Sequence, residues 1–110
     1  MASTCEDSPQ DTIYCTTEAR AGLNVQVQLN SSSTFETTGI SVVATEGSYV
    51  EPLEFYQGST VFSGAYERQG TYVISVSKDG YIPYASAPIT VTADECHVIP
   101  QTLVVNLIPQ

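Results

Sequence analysis

The chain has no tryptophan, a single histidine and only three lysine or arginine residues among its 110 residues. One histidine cannot by itself supply a catalytic triad or a stable metal site. No Cys-x-x-Cys pair occurs, which removes the usual thiol-redox and zinc motifs. Apolar runs extend over only a few residues, so no segment predicts a membrane-spanning helix. We therefore expect a protein that is not an enzyme and that uses no cofactor or metal.

Acidic residues dominate the charge, with 12 Asp and Glu residues and a formal net charge of −9. Such a surface repels phosphate backbones and anionic lipids, which excludes nucleic acid as a partner. Solubility through self-repulsion is the simplest explanation of this charge. Calcium is the alternative, but the acidic residues lack the loop spacing of a calcium site. The scarce cations Arg20 and Arg68 are expected in structural ion pairs, Arg20 with Asp94 or Glu95.

The chain alternates between apolar and polar residues over several short stretches, which is typical of half-buried strands. The alternation is clearest in residues 23–29 and 70–77. Turn residues separate the stretches, including the Asp79-Gly80 pair that favours a tight reversal. Pro52 interrupts the third candidate strand, which fits a sheet edge. The predicted strands are residues 23–29, 40–44, 49–55, 60–66, 70–77, 88–92 and 96–108, with residues 81–84 as a further extended piece.

This spacing predicts an all-β protein: a seven-stranded antiparallel sandwich of the Greek-key type. Residues 1–20 are polar and irregular, and we interpret them as a tether and lead-in to one domain over residues 21–110. No secretory signal is visible at the start of the chain, so an exported protein would have lost it here.

Three cysteines allow one disulfide and one remaining thiol. Cys15 precedes the first strand, and Cys96 opens the predicted last strand. A Cys15–Cys96 bridge would tie the lead-in to that strand and would indicate an oxidising, extracytoplasmic compartment. A Cys5–Cys15 bridge and three reduced thiols remain alternatives. His97 follows Cys96, and we expect a hydrogen-bonded histidine, with Glu18 or Glu95 within reach if the bridge forms.

Residues 21–109 resemble the carboxypeptidase regulatory-like domains, which are prealbumin-like sandwiches. The resemblance is carried by residues 22–27, 39–44, Gly70-Thr71-Tyr72 and Asp79-Gly80-Tyr81. It implies that Tyr72 fills the core, that Gly80 adopts a positive φ and that Tyr81 caps one end. The flanking cysteine segments are similar to those of exported bacterial proteins, many of them lipoproteins. Cys5 is therefore a candidate lipid anchor, although residues 2–4 match the lipobox poorly, and a free thiol is the alternative.

In such families the domain is typically an accessory or interaction module, secreted, periplasmic or anchored at the cell surface. The resemblance therefore implies contact with a protein or carbohydrate at the cell surface. We also expect a monomer that contacts a membrane only through the lipid anchor. A self-associating subunit of a fibre or surface layer is the alternative. The candidate contact residues are His97, Arg20, Tyr81 and Tyr84. The tyrosines near strand ends suit such contacts because they combine a rigid ring with a polar tip. They are Tyr49, Tyr56, Tyr66, Tyr81 and Tyr84, and positions in the core or at corners are the alternative.

Overall fold

The computed structural model describes Cys15 and residues 18–110 of the chain. These residues form eight strands and no helix, so none of them belongs to a helix capable of spanning a membrane. The first strand begins at Ala21, while most of the predicted lead-in and Cys5 lie outside the described residues. The strands are β1 (Ala21–Leu29), β2 (Ser41–Glu46), β3 (Tyr49–Pro52), β4 (Phe62–Tyr66), β5 (Gly70–Ser77), β6 (Tyr84–Ala85), β7 (Ile89–Val91) and β8 (Gln101–Leu107).

The strands form two sheets that share one hydrophobic core in a sandwich-like arrangement. The three-stranded sheet has the order β4-β1-β8. The five-stranded sheet has the order β3-β2-β5-β6, and β7 pairs with the first residues of β5. The all-β prediction is therefore confirmed, and most of the pairs are antiparallel.

Alternation along the strands places the core between the sheets, as the sequence pattern predicts. In β1 the apolar residues Leu23, Val25 and Val27 are buried, and the intervening polar residues are partly exposed. In β5, Tyr72 and Ile74 have no exposed surface. Burying such a side chain stabilises the fold by about 1.5–3 kcal/mol. The remaining large and fully buried side chains are Phe62, Leu107, Val42, Val76, Val91 and Val105.

One strand pair differs from the wholly antiparallel prediction. β1 and β8 run parallel, from the Leu23–Gln101 pair to the Leu29–Leu107 pair. Local patterns predict hairpins between consecutive strands, but they carry no signal for the relative direction of strands that lie far apart in the chain. The prediction of a purely antiparallel sandwich is therefore wrong for this pair.

The strand count and several strand boundaries also differ from the sequence pattern. The predicted count of seven strands becomes eight because the short β6 pairs with β5 before β7 begins. The last strand begins at Gln101 and not at Cys96. Cys96 instead lies in the loop between β7 and β8, which an isolated Ala93–Val98 bridge closes. β3 lies at a sheet edge as predicted, but it ends at Pro52 and does not extend to residue 55.

The two sheets meet along one side of the molecule, where the chain passes from β3 to β4. Leu53 is buried there, and its backbone N–H donates to the Val42 carbonyl at 2.8 Å. Glu54 then pairs with Ser63 of β4 through two backbone hydrogen bonds of 2.8 and 3.1 Å. The segment after β3 therefore joins the edge of the five-stranded sheet to the edge of the three-stranded sheet.

Candidate functional site

A disulfide between Cys15 and Cys96 joins the lead-in to the β7–β8 loop, with the two Cα atoms 5.1 Å apart. The pairing is the one predicted from the sequence, although its second partner lies in a loop rather than in the last strand. The bridge joins two cysteines that are 81 positions apart in the sequence. The predicted lipid anchor Cys5 lies outside the described residues.

A carboxylate turn shapes the loop that carries Cys96. The backbone N–H groups of Cys96 and His97 donate to Oδ1 of Asp94 at 2.8 and 2.9 Å. These bonds, His97 first, lower the pKa of the Asp94 carboxyl because they stabilise its charged form. An Asp side chain that binds N–H groups two and three residues later competes with strand formation. This turn explains why the strand does not begin at Cys96.

Glu67 is the centre of the same corner. One carboxylate oxygen of Glu67 binds Nδ1 of His97 and accepts the Arg20 backbone N–H at 3.0 Å. The other oxygen accepts the Val98 N–H at 2.9 Å. The hydrogen bond with His97 is the main reason why the pKa of Glu67 is lowered. The sequence reading missed this partner of His97.

His97 and Arg20 both lie at this corner, and whether they contact a partner stays a prediction. His97 is only 8% exposed, and Glu18 and Glu95, its predicted neighbours, line the same cavity as its side chain. The Arg20 guanidinium lies 3.7 Å from Glu18 and is half-exposed. Its ion-pair partner in the structure is thus Glu18, not the predicted Asp94 or Glu95. The charge of Arg20 still contributes, after the backbone hydrogen bonds, to the lowered pKa of Asp94.

Tyr81 and Tyr84, the other predicted contact residues, lie near the opposite turn. Both are half-buried and pack against the core. Tyr81 pairs with Pro109 through an isolated bridge, and Gly80 before it has a φ of 86°, as the predicted reversal requires. Whether these two tyrosines contact a partner stays a prediction.

Arg68 forms a second internal cluster. Its guanidinium carbon lies 3.6 Å above the centre of the Tyr49 ring. One guanidinium nitrogen is 2.8 Å from both Glu46 Oε1 and the Tyr72 hydroxyl. The predicted structural role of Arg68 is confirmed by this ion pair. A backbone hydrogen bond from Thr71 and then the Arg68 bond lower the pKa of Glu46.

The most exposed aromatic side chain of the described residues, Tyr56, lies in the β3–β4 connection. We call the cavity lined by Glu51, Pro52, Glu54, Tyr56, Ser63 and Tyr66 the β3–β4 notch. Tyr56 is 71% exposed and Tyr66 is 40% exposed, and their hydroxyl oxygens are 3.3 Å apart. This hydrogen bond, followed by partial burial, raises the pKa of Tyr66. The sequence indicated both only as two of five tyrosines near strand ends, and it could not indicate that they meet.

Backbone strain sets the position of Tyr66. Its neighbours Ala65 and Glu67 both have left-handed conformations, with φ values of 52° and 51°. Such conformations are unfavourable for side chains with a Cβ and persist where surrounding contacts impose them. Both Glu51 oxygens accept the Ala65 N–H at 3.1 Å, and Glu67 is held by the corner described above. Hydrogen bonds on both sides therefore fix the segment that presents Tyr66.

Two further apolar side chains are exposed in the same part of the chain. Val50 of β3 is 60% exposed, and Phe55 is 42% exposed although its ring packs edge-on against the core residue Phe62. Residues 50–66 thus contain four of the large hydrophobic side chains that the described chain exposes. Clusters of this kind often mark interaction sites.

Within the described residues, no group of three or more His, Cys, Asp or Glu side chains is placed to hold a metal ion. Comparison of the chain with protein-family models and with curated proteins finds no match.

Proposed function

We propose that this protein is a non-catalytic extracytoplasmic β-sandwich module that acts through surface contact with a protein or glycan. The observation that carries the proposal is the β3–β4 notch, where Tyr56 and Tyr66 are exposed and hydrogen-bonded to each other, and where Tyr66 lies on a segment fixed by hydrogen bonds. Rigid aromatic side chains favour binding because little conformational entropy is lost when they are covered.

The extracytoplasmic location rests on the Cys15–Cys96 disulfide. Disulfides persist in oxidising compartments and are rare in the cytosol. Secretion, the periplasm and a surface lipoprotein anchored through Cys5 all agree with this bridge. Cell fractionation tests the location, and mass spectrometry of the unreduced protein after alkylation tests the bridge. Recovery from the cytosol with all three thiols alkylated would contradict the proposal.

Membership of the carboxypeptidase regulatory-like class, with its prealbumin-like Greek-key topology, is part of the same proposal. Its support is the two-sheet all-β arrangement and the positions of the residues that carry the resemblance. Gly70 begins β5, Tyr72 is fully buried and Tyr81 packs at a sandwich end after Gly80. An experimental structure with a different strand connection would remove this assignment.

A photo-crosslinking amino acid at position 56 tests the contact function in intact cells of the source organism. The matched control places it at Asp79, in the exposed turn between β5 and β6. We expect a discrete crosslinked product with protein or glycan from position 56 and none from position 79. Equal patterns from both positions, or no product from either, would contradict a binding role for this edge.

Self-association into a fibre or surface layer is the second candidate function. β8 lies at the edge of the three-stranded sheet, and its Val104 is 51% exposed. An unprotected edge strand can pair with another chain. Pro52 in the edge strand β3 disfavours pairing on the other sheet. Size-exclusion chromatography at several concentrations separates the two functions, because a persistent monomer contradicts self-association.

A further inference from the structure

The β3–β4 notch combines two aromatic rings with two carboxylates around one cavity. Glu51 is largely committed to the fold, because it accepts the Tyr49 hydroxyl at 2.7 Å and the Ala65 N–H. The Glu54 carboxylate forms no hydrogen bond or ion pair with any residue that the structure describes. The cavity therefore carries negative charge beside two exposed tyrosine side chains, with one carboxylate available to a ligand.

No basic side chain lines the notch within the described part of the chain. The three cations of the protein have contacts elsewhere: Arg20 with Glu18, Arg68 with Glu46, and Lys78 with the Thr38 carbonyl at 2.9 Å. The net charge of −9 adds a long-range attraction for positive groups. Charge complementarity thus favours a cationic occupant over a neutral or anionic one.

The protein already contains this type of contact internally. The Arg68 guanidinium lies over the Tyr49 ring and is hydrogen-bonded to the Glu46 carboxylate. A planar guanidinium suits such a site because it can stack on an aromatic face while its N–H groups bind oxygen atoms. The notch offers the same two kinds of group, tyrosine rings and a free carboxylate. The hydroxyl oxygens of Tyr56 and Tyr66 are further acceptors for guanidinium N–H groups.

The notch is also held in place before any ligand arrives. Glu51 fixes the left-handed Ala65, and Tyr66 follows it directly. The Tyr56 hydroxyl is then positioned by its hydrogen bond with the Tyr66 hydroxyl. Preorganised groups lose less entropy on binding, so even a small ligand can be recognised.

From this geometry we propose that the β3–β4 notch binds an arginine side chain of a protein partner, with the guanidinium between the tyrosine rings and Glu54. The inference rests on the proposed contact function and names the chemistry of the partner. It makes the notch the point at which this acidic protein binds a basic segment of the partner.

Titration of the isotope-labelled protein with N-acetyl-arginine amide, followed by NMR, tests the binding directly. N-acetyl-citrulline amide is the matched probe, because it has nearly the same shape without the charge. We expect saturable shifts at the amides of Glu54, Tyr56, Ser63 and Tyr66, with a dissociation constant on the order of 10 mM. Citrulline should produce no saturable shifts there. Equal binding of both probes, or arginine shifts spread over the surface, would overturn the proposal.

Glu54→Gln and Asp79→Asn each remove one negative charge, so their comparison separates binding at the notch from general attraction to an acidic protein. Glu54→Gln should weaken arginine binding roughly two- to fivefold. Tyr56→Ala, which leaves the net charge unchanged, should weaken it by a similar factor. Asp79→Asn, in the β5–β6 turn and outside the lining of the notch, should leave it unchanged. Equal effects of Glu54→Gln and Asp79→Asn would contradict a local site. If position 56 still crosslinks to a partner while the arginine probe fails, the contact function stands and only the ligand class is wrong.

Discussion

Glu67 and His97 are 30 residues apart in the chain and are joined by a hydrogen bond between the carboxylate and Nδ1 of the ring. The same carboxylate accepts backbone N–H groups from Arg20 and Val98. One side chain therefore connects the lead-in, the β4–β5 turn and the disulfide loop. The disulfide corner depends on this carboxylate as well as on the covalent bond.

The charged form of Glu67 should stabilise the fold in a pH-dependent way. The pKa of Glu67 in the folded protein lies below its ordinary value of 4.5, mainly because of the His97 bond. The stabilisation is therefore fully present above the unfolded-state pKa and is lost as the pH falls through the folded-state value. We expect the difference in unfolding free energy between the parent and Glu67→Gln to shrink progressively from about pH 5 to pH 2.

Urea denaturation at several pH values in that range measures this difference. Subtracting the variant from the parent removes the general effect of protonating the other acidic residues. Glu54→Gln is the control, because its side chain makes none of these bonds, and the Glu54 difference should vary less with pH. A Glu67 difference that stays constant down to pH 2 would show that these hydrogen bonds do not stabilise the charged carboxylate of Glu67.

Reduction of the Cys15–Cys96 bridge should destabilise the protein by about 2–4 kcal/mol, because the bridge restricts a long loop of the unfolded chain. Urea denaturation with and without reductant measures the loss. In the unreduced protein, alkylation should modify one thiol of the three. Cys5→Ser should leave both the stability and the effect of the reductant unchanged, whereas a Cys5–Cys15 bridge would make that variant resemble the reduced protein.

Gly64 in β4 should not tolerate a methyl group. A Cβ at this position would meet the Leu53 side chain and would lie 2.8 Å from the Glu51 carboxylate. Because Leu53 is buried, Gly64→Ala should cost about 1–3 kcal/mol in unfolding free energy. Gly47→Ala is the control: nothing lies within 4 Å, and only its left-handed backbone is strained, at about 1 kcal/mol. Equal losses would contradict the close approach between the two sheets.

The buried Tyr72 hydroxyl should contribute measurably to stability. It donates to the Arg68 carbonyl at 3.0 Å and accepts a guanidinium N–H at 2.8 Å. Tyr72→Phe removes both bonds without changing the ring, and we expect a loss of about 1 kcal/mol by thermal or urea denaturation. Tyr84→Phe is the matched control, since the Tyr84 hydroxyl has no hydrogen bond within the described residues. A Tyr72 effect no larger than the Tyr84 effect would contradict the Arg68 cluster.

Much of the fold could be predicted from local patterns. The alternation in β1 and β5 predicted which residues are buried, because side chains of a strand point in turn to opposite faces. Pro52 marked an edge strand, since proline cannot donate a backbone hydrogen bond. The Cys15–Cys96 pair followed from cysteines on both sides of the strand-forming region.

The candidate site was less predictable. Tyr56 and Tyr66 stood out as residue types, but their contact depends on the passage from β3 to β4 and on the left-handed Ala65. An alanine gives no local signal for such a conformation. The bond between Glu67 and His97 was equally hidden, because many acidic residues could have served as the partner.

The order of amino acids alone specifies an all-β chain and its main strands, because these features depend on short-range alternation and on residue chemistry, and it makes Cys15–Cys96 one of the possible cysteine pairs. The parallel β1–β8 pair, the Glu67 contacts and the β3–β4 notch arise only in the folded molecule. They require segments distant in sequence to meet around the shared core. Such meetings are decided by the packing of the whole chain and not by any single stretch of it.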